Sequence, residues 1–252
     1  MNPKFPARAW RLLAFGATLA ITTFSSFAAV DVEVAAEDAE EYDEYATPPV
    51  YDPLEKINRT IFKFNGGVTI YVFTPISKGY TTIVPAKARK GLTSFFDNLA
   101  FPLRFTGSLL QGKLDRSAAE LGKFLVNTTV GLGGFFKVSD HIPELRVPDE
   151  DIGQAFGLWG LGHGPYIVIP ILGPSSLRDG IGRIAAYPLD PMEWEFAESM
   201  DWTVRDGSRV LDTVNDLPAT LENLDRITRS AVDPYVAVRN GYIQYRDAAV
   251  KK

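Results

Sequence analysis

Residues 51–65, which read YDPLEKINRTIFKFN, decide the fold class. They open with a helix-start signal, in which Asp52 can cap the helix, Pro53 occupies its first position and Glu55 its third. Apolar side chains then recur at helical spacing along one face: Leu54, Ile57, Ile61 and Phe64, with Phe62 beside them. The segment therefore predicts an amphipathic helix, which the Gly66-Gly67 pair is expected to interrupt before a second apolar run at residues 68–76.

The same start signal recurs along the chain. Asp190-Pro191-Met192-Glu193 repeats it in full, Asp233-Pro234 repeats the cap and the proline, and Pro85 and Pro102 can also open helices. Helical spacing predicts further helices at residues 115–130, 151–159, 176–187, 193–214 and 234–249. One strand is predicted at residues 166–169, between two prolines. The fold class is therefore predicted to be all-α, with one short β-like segment.

The beginning of the chain predicts export. Lys4, Arg8 and Arg11 precede an uncharged run at residues 12–27, and small residues then complete a cleavage pattern, so residues 1–28 are predicted to be a signal peptide. A membrane-spanning helix is the alternative, and five Thr or Ser residues among these sixteen argue against it. Because the chain contains no cysteine, the exported protein is expected to carry no disulfide and no cysteine-linked lipid.

A strongly acidic segment follows the predicted signal. Residues 31–44 hold eight acids and no base, so residues 29–50 are predicted to form a disordered tether. The remaining chain carries 23 acids and 23 bases, and residues 51–252 are sufficient for one domain. A neutral domain without a basic cluster gives no reason to expect nucleic acid as a partner.

Signatures of catalysis are missing from the sequence. We find no Gly-x-Ser-x-Gly and no His-Glu-x-x-His motif, and the two histidines, His141 and His163, stand in a loop turn and among glycines. Gly160-x-Gly162-x-Gly164 superficially matches a phosphate-binding loop, but Pro165 and a β-like run follow where the helix should begin. We therefore predict no enzyme activity, no cofactor and no metal.

The aromatic content leaves two interpretations open. The chain contains thirty aromatic residues, sixteen of them Phe, and the predicted helices that carry many of them are often apolar on more than one face. In a water-soluble protein such helices must be buried centrally, whereas against lipid they can face outward.

Glycines cluster at two places. Gly131, Gly133 and Gly134 follow the predicted helix at residues 115–130 with more glycine than a helix end requires. Further glycines punctuate an aromatic segment at residues 157–166. An ordinary turn-rich loop explains this segment, and so does a flexible or closely packed loop that lines a path for an apolar ligand.

Motifs along the whole predicted domain occur in one order: Tyr51-Asp52-Pro53-Leu54-Glu55, Asn58-Arg59-Thr60, Phe62-x-Phe64-Asn65, Val84-Pro85, Leu110-Gln111-Gly112, Phe124-Leu125-x-Asn127-Thr128, Gly131-x-Gly133-Gly134-Phe135, Gly160-x-Gly162-x-Gly164-Pro165-Tyr166, Leu177-Arg178-Asp179, Tyr187-Pro188 and Asp233-Pro234-Tyr235. In this order they resemble the MlaA (VacJ) family of outer-membrane phospholipid-transport proteins. The order is more specific than any single motif.

The resemblance implies a ring-like helical domain in the inner leaflet of the outer membrane, with an amphipathic channel through its middle. It implies that misplaced phospholipids leave the outer leaflet through this channel and pass to a periplasmic carrier of the MlaC type, often beside a trimeric porin. By position, the following residues correspond to the family's channel-side hairpin loop: Gly157, Trp159, Gly160, Gly162, Gly164, Pro165 and Tyr166. Gly131, Gly133 and Gly134 are then expected beside the channel.

Two arginines are candidates for contact with a lipid phosphate, Arg178 and Arg89, because a guanidinium binds phosphate through two parallel hydrogen bonds. For Arg178, an ion pair with Asp179 is the alternative. Most members of the family are acylated on a cysteine that this sequence lacks, so residence on the periplasmic face of the outer membrane is expected to depend on the apolar helices and a porin. A soluble periplasmic lipid-binding or carrier protein is the main alternative, and an envelope lipid hydrolase is a second.

Overall fold

The computed structural model describes residues 50–194 and 202–252, and within these the chain is mostly helical. The predicted signal peptide and nearly all of the predicted tether lie outside the described residues. The elements in chain order are α1 (Glu55–Val68), a π-helical turn (Thr69–Phe73), α2 (Thr74–Ile83), α3 (Ala86–Leu99), α4 (Phe101–Leu110), α5 (Leu114–Thr129), α6 (Ile152–Leu158), β1 (Tyr166–Ile169), β2 (Gly173–Ser176), α7 (Leu177–Ala186), α8 (Trp202–Thr228) and α9 (Pro234–Lys251). The all-α prediction is confirmed.

The predicted caps behave differently at the two ends of the domain. Asp233 caps α9, since its carboxylate accepts hydrogen bonds from the backbone N–H groups of Tyr235 and Val236 at 3.0 and 3.2 Å. The predicted cap by Asp52 is wrong, because α1 begins later, at Glu55, without a side-chain cap. The Asp52 carboxylate has distant partners instead, which are taken up below.

The predicted interruption at Gly66-Gly67 is also wrong. Both glycines lie inside α1, where a β-carbon at either position would meet no atom within 4 Å, so they relieve no crowding. The helix continues directly into the π-helical turn, where the Thr69 carbonyl accepts hydrogen bonds from both the backbone N–H and the hydroxyl of Thr74. From Glu55 to Ile83 the chain is therefore one continuous helical stretch, which we call the outer stretch.

The Asp190-Pro191 signal opens no long helix within the described residues. It forms a 3₁₀ turn at Pro191–Glu193, and residues 195–201, through which the predicted helix at 193–214 would run, lie outside the described residues. The helix α8 is described from Trp202 and extends to Thr228, beyond the predicted end.

The predicted strand is confirmed, and it has a partner that the sequence pattern missed. β1 pairs with β2 in an antiparallel hairpin, with Tyr166 opposite Ser176 and Ile169 opposite Gly173. Tyr166 and Val168 face inward and pack with three residues of α9 in the main apolar cluster: Tyr235, Val238 and Tyr242. The hairpin is thus held against the C-terminal helix.

Polarity is reversed between the inside and the outside of much of the molecule. Among the described residues ten apolar side chains are buried, whereas nineteen polar or charged ones are, and thirty large apolar side chains are exposed. On α5 the buried positions include Ser117, Glu120 and Asn127, while Leu121 and Leu125 are about half exposed. Helical spacing therefore located α5 correctly, and its apolar face points outward.

Candidate functional site around the glycine-rich loop and the hairpin

The glycine-rich loop connects the end of α6 to the hairpin. Its backbone is held to the start of α7, where the N–H groups of Leu177 and Arg178 donate hydrogen bonds to the carbonyls of Pro165 and His163, each at 3.1 Å. Gly160 and Gly164 adopt φ values of +90° and +65°, which only glycine enters without strain. These two glycines therefore allow the backbone conformation of the loop.

The remaining glycines of this segment differ from one another. A β-carbon on Gly157 would lie 2.7 Å from Val250 Cγ2 and 2.8 Å from Arg178 Nη1, so Gly157 permits close packing of α6 against α9. A β-carbon on Gly162 would meet no atom within 4 Å, so this position faces open space. Gly157 therefore serves close packing and Gly162 does not, and a path for an apolar ligand along this loop stays a prediction.

The aromatic members of the segment have fixed positions. Trp159 ends α6, is about half exposed, and donates a hydrogen bond from Nε1 to the Leu110 carbonyl at 3.1 Å. Tyr166 is 1% exposed, and burial raises the pKa of its phenol above the usual range. No described residue pairs with the Tyr166 hydroxyl. Tyr166 is therefore part of the core of the hairpin, while Trp159 lies at the surface.

Two asparagines fasten the hairpin to α1. Asn58 donates to the Tyr166 carbonyl at 3.0 Å and accepts from the Val168 N–H at 2.9 Å. Two helical turns later, Asn65 donates to the Ile169 carbonyl at 3.0 Å and accepts from the Ile171 N–H at 2.7 Å. These side chains thus extend β1 on its free edge as a neighbouring strand would.

Asn58 is itself positioned by Asp52. The Asp52 carboxylate accepts a hydrogen bond from Asn58 at 2.8 Å and from Arg239 at 3.2 Å, and it also accepts one from the Tyr235 hydroxyl. Asn58 and Asn65 lie within sequence motifs that predict no role for either residue. Asparagine at a seven-residue interval was the available signal, since that spacing puts both amides on one face of a helix.

Arg178 belongs to a group of ion pairs that we call the buried ion cluster and define as Asp151, Arg178, Asp179 and Arg246. Its two arginines and Asp179 are buried, whereas the Asp151 side chain is about half exposed. Arg178 Nε lies 3.0 Å from Asp179 Oδ1, and Arg246 bridges both acids, at 2.6 Å from Asp151 Oδ2 and 2.9 Å from Asp179 Oδ1. Burial acts to raise the pKa of Asp179, but the charges of Arg246 and Arg178 overcome it and hold that pKa below its usual value. The ion pair anticipated as the alternative for Arg178 is present, and phosphate contact by Arg178 stays a prediction.

Arg89 lies in a different part of the molecule. It is a partly buried residue of α3, its carbonyl accepts a hydrogen bond from Asn215 of α8 at 3.1 Å, and its covered Nε has no partner among the described residues. No contact in the described part of the chain joins Arg89 to Arg178. The structure does not bring the two predicted phosphate ligands together.

The second glycine cluster makes the turn that ends α5. Gly133 and Gly134 adopt φ values of +72° and +97°, and their N–H groups donate to the carbonyls of Thr128 and Asn127. A β-carbon on Gly131 would lie 2.2 Å from the Phe136 carbonyl oxygen, and one on Gly134 would lie 2.6 Å from Asn98 Cβ. These glycines are explained by the turn and its packing, and a place beside a channel stays a prediction.

Part of the apolar exterior lies on the outer stretch. Ile70, Tyr71 and Val72 within the π-helical turn are 63, 81 and 44% exposed, and Ile83 at the end of α2 is 81% exposed. Of the helices that the structure describes, none is both long enough and apolar enough to cross a membrane. A polar interior with an apolar exterior defines a class of protein suited to lie against lipid.

The comparisons with known proteins agree with this class. Residues 50–249 match the model of the family described as MlaA lipoprotein, so the chain belongs to this family. It is 34% identical over 201 residues to the intermembrane phospholipid transport system lipoprotein MlaA of Escherichia coli K12, covering 78% of this chain and 77% of that protein. The protein of the same name from Haemophilus influenzae is 33% identical over 199 residues, covering 77% of this chain and 76% of that one.

Two further matches extend the comparison. An uncharacterised protein of Rickettsia prowazekii is 30% identical over 238 residues, which cover 92% of this chain and 93% of that one. A solved structure from work on the structural basis for maintenance of bacterial outer membrane lipid asymmetry superimposes with a TM-score of 0.67 at 30% identity. That superposition covers 79% of this chain and 98% of the other, so the helical fold with its hairpin is shared.

Proposed function

We propose that this protein removes mislocalised phospholipids from the outer leaflet of the outer membrane and passes them to a periplasmic carrier, making and breaking no bond. The named relatives belong to an intermembrane phospholipid transport system, and the matched structure concerns outer membrane lipid asymmetry. The proposal places the chain on the periplasmic face of that membrane.

The reversed polarity of the molecule carries the proposal. Burial of apolar surface is worth about 25 cal/mol per Å². Thirty large exposed apolar side chains would lose that stabilisation in water and recover it against acyl chains. The buried polar side chains, in turn, suit a protein whose inner surfaces meet a charged head group. The soluble carrier that the sequence left as an alternative would have to cover this exterior in another way.

The transport path is proposed to pass the glycine-rich loop. Each methylene removed from water is worth about 0.8 kcal/mol, so a lipid with two tails needs a path that shields them throughout. The open space at Gly162 and the exposed ring of Trp159 support a place for the loop at the mouth of such a path. A carrier of the MlaC type and a trimeric porin are proposed as partners, in keeping with the family.

A deletion strain tests the proposal. We expect phospholipid to accumulate in the outer leaflet when the gene is deleted and to be cleared when the full gene is returned, but not when residues 160–162 are removed from it. Gly207→Ala in α8 is the control and should clear the lipid, because the added carbon meets open space outside the proposed path. The absence of accumulation in the deletion strain would refute transport.

Fractionation of the same strains tests the location. The protein should stay with the outer membrane through osmotic shock and a high-salt wash, because the contact is apolar and is not screened by salt. Release into the soluble fraction would favour the soluble carrier, and lysophospholipid formed by the purified protein would favour the hydrolase.

A further inference from the structure

An apolar groove of about 230 Å³ lies between the hairpin and α7. On the helix its wall consists of Leu177, Ile181 and Ile184, which follow one another at helical spacing and are all about half exposed or more. On the strand it consists of Ile167 and Ile169, the outward residues of β1. The groove is open to one side and almost wholly hydrocarbon.

Gly180 keeps the groove open on the helix side. It lines the groove in the middle of α7, and a β-carbon there would meet no atom within 4 Å. Glycine inside a helix is less stable than alanine by roughly 0.5–1 kcal/mol. Neither a close approach nor a positive φ requires glycine at position 180. The glycine is therefore explained by the space that it leaves in the groove.

One cation faces this hydrocarbon. Arg183 lines the groove, and its covered Nη1 has no hydrogen-bond partner within residues 50–194 and 202–252. Burial lowers the pKa of Arg183 below its usual value, and the nearby carboxylates of Asp179 and Asp151 do not make up for it. Those two acids are already neutralised by the two arginines of the buried ion cluster. Arg183 is therefore a surplus positive charge beside a balanced cluster.

We propose that this groove binds part of one phospholipid, with an acyl chain along the apolar face of α7 and the phosphate on Arg183. A phosphodiester carries one negative charge, which matches the surplus, and a guanidinium binds it through two hydrogen bonds. This inference rests on the proposed function and adds to it a binding residue, Arg183. Neither Arg178 nor Arg89 lines the groove.

The size of the groove indicates how the lipid is held. Pockets that enclose a small molecule usually measure about 300–1,000 Å³. At about 230 Å³ and open on one side, this groove takes a part of the lipid and leaves the rest outside. Partial enclosure of this kind suits a lipid that must be released again during transport.

The test measures binding of dihexanoylphosphatidylglycerol, a soluble phospholipid of net charge −1, to the purified full chain. Arg183→Gln should weaken binding at least about tenfold, the usual loss for one hydrogen bond to a charged group. Arg183→Lys should restore part of the affinity. Gly180→Leu should also weaken binding, because its side chain fills the groove, whereas Gly207→Leu in α8, whose added carbon also meets open space, should have no effect.

Unfolding separates binding from a structural role. If Arg183 serves a ligand, its removal takes an uncompensated charge out of the fold, so the melting temperature of Arg183→Gln should not fall. A lower melting temperature with unchanged binding would assign Arg183 to the fold and overturn the inference. Should any variant fail to fold, Gly180→Leu against Gly207→Leu still decides whether the groove is the site.

Two ligand comparisons complete the test. Dihexanoylglycerol, which lacks the phosphate, should bind equally to the parent chain and to Arg183→Gln, while inorganic phosphate should bind much more weakly than the lipid. Equal binding of inorganic phosphate and lipid would make this an anion site and overturn the inference. If Arg183→Gln and Gly180→Leu bind as the parent does while the deletion strain accumulates lipid, the inference fails and the proposed function stands. If the strain accumulates none, the proposed function fails.

Discussion

The outer stretch and the buried ion cluster are opposites in this molecule. The outer stretch places Ile70, Tyr71 and Ile83 against the surroundings, whereas the cluster places Asp179 and Arg246 in the interior, at 3 and 8% side-chain exposure. In a water-soluble protein these two sets would exchange places. Helical spacing therefore identifies a helix here, but whether water or lipid surrounds the protein decides which face of the helix is inside.

The largest expected effect is the loss of stability when the buried ion cluster is broken. Arg246→Met removes the cation shared by Asp151, which is half exposed, and Asp179, which is buried and keeps only Arg178 as a cation. Removal of one partner from a buried pair costs about 3–5 kcal/mol of unfolding free energy, and the pair with Asp179 accounts for most of that cost. Urea unfolding in detergent measures it. Arg226→Met is the matched control, because the pair of Arg226 with Glu222 is exposed and worth less than about 1 kcal/mol.

Acid unfolding of the same variant gives a second measure of the buried ion cluster. The folded state lowers the pKa of Asp179 below its ordinary value of 3.8, so its contribution is complete above that value and is lost as pH falls through the lower, folded pKa. With Arg246 replaced, acid unfolding should begin at a higher pH than in the parent chain. Identical acid-unfolding curves would show that the cluster contributes little.

A smaller effect is expected where the outer stretch holds the hairpin. Asn58→Ala leaves the Tyr166 carbonyl and the Val168 N–H unpaired in a buried place, which should cost about 3 kcal/mol of unfolding free energy. Asn65→Ala breaks the corresponding bonds near the surface, where water replaces them, and should cost about 1 kcal/mol. Equal costs in urea unfolding would contradict the difference in burial.

The exterior is tested by its affinity for lipid. Replacing Ile70 and Tyr71 together by Ser should weaken binding to zwitterionic vesicles by roughly 2 kcal/mol, or about thirtyfold, while the unfolding free energy in detergent changes little. Lys78→Ser, on the same stretch, should bind as the parent chain does. Vesicle cosedimentation measures both, and an unchanged affinity of the double variant would place the membrane contact elsewhere.

The smallest effect concerns Asp212, an acid without an ion pair among the residues that the structure describes. Burial, together with Asp216, Asp97 and Asp190, raises the pKa of Asp212 to about 7. The folded state therefore holds this proton more tightly than the unfolded chain does, and stability is lost as pH rises from 3.8 through about 7. Asp212→Asn should stabilise the fold by about 1 kcal/mol at pH 8 and hardly at pH 5, since Asp212 is only partly buried. Melting temperatures at the two pH values check the sign.

Local signals in the sequence were sufficient where the partners are close along the chain. Asp233 caps α9 as predicted, because its partners lie two and three residues away. Asp52 carries the same signal and caps nothing, since its carboxylate is taken by Asn58 and by Tyr235 and Arg239 nearly 190 residues later. A cap signal alone does not reveal such competition.

Parts of the candidate site were beyond prediction for similar reasons. β2 reads Gly-Pro-Ser-Ser, which has no β-branched apolar residue and becomes a strand only through its pairing with β1. Gly157 was predicted as part of a loop, and its close packing depends on Val250, almost a hundred residues away. No sequence pattern marks Arg183, because its lack of a partner arises only in the fold, where the neighbouring acids are already paired with other arginines.

The π-helical turn gives the outer stretch one residue more than a regular helix of the same length would contain. A π turn accommodates one residue more than a regular helix over the same span, and the helices on either side keep their faces. The slip lies within the second apolar run at residues 68–76, where the period of 3.6 shifts by one at Thr69–Phe73. Deletion of one residue there is therefore expected to turn the segment into a regular helix while α1 keeps its contacts with the hairpin and α2 its contacts with α8.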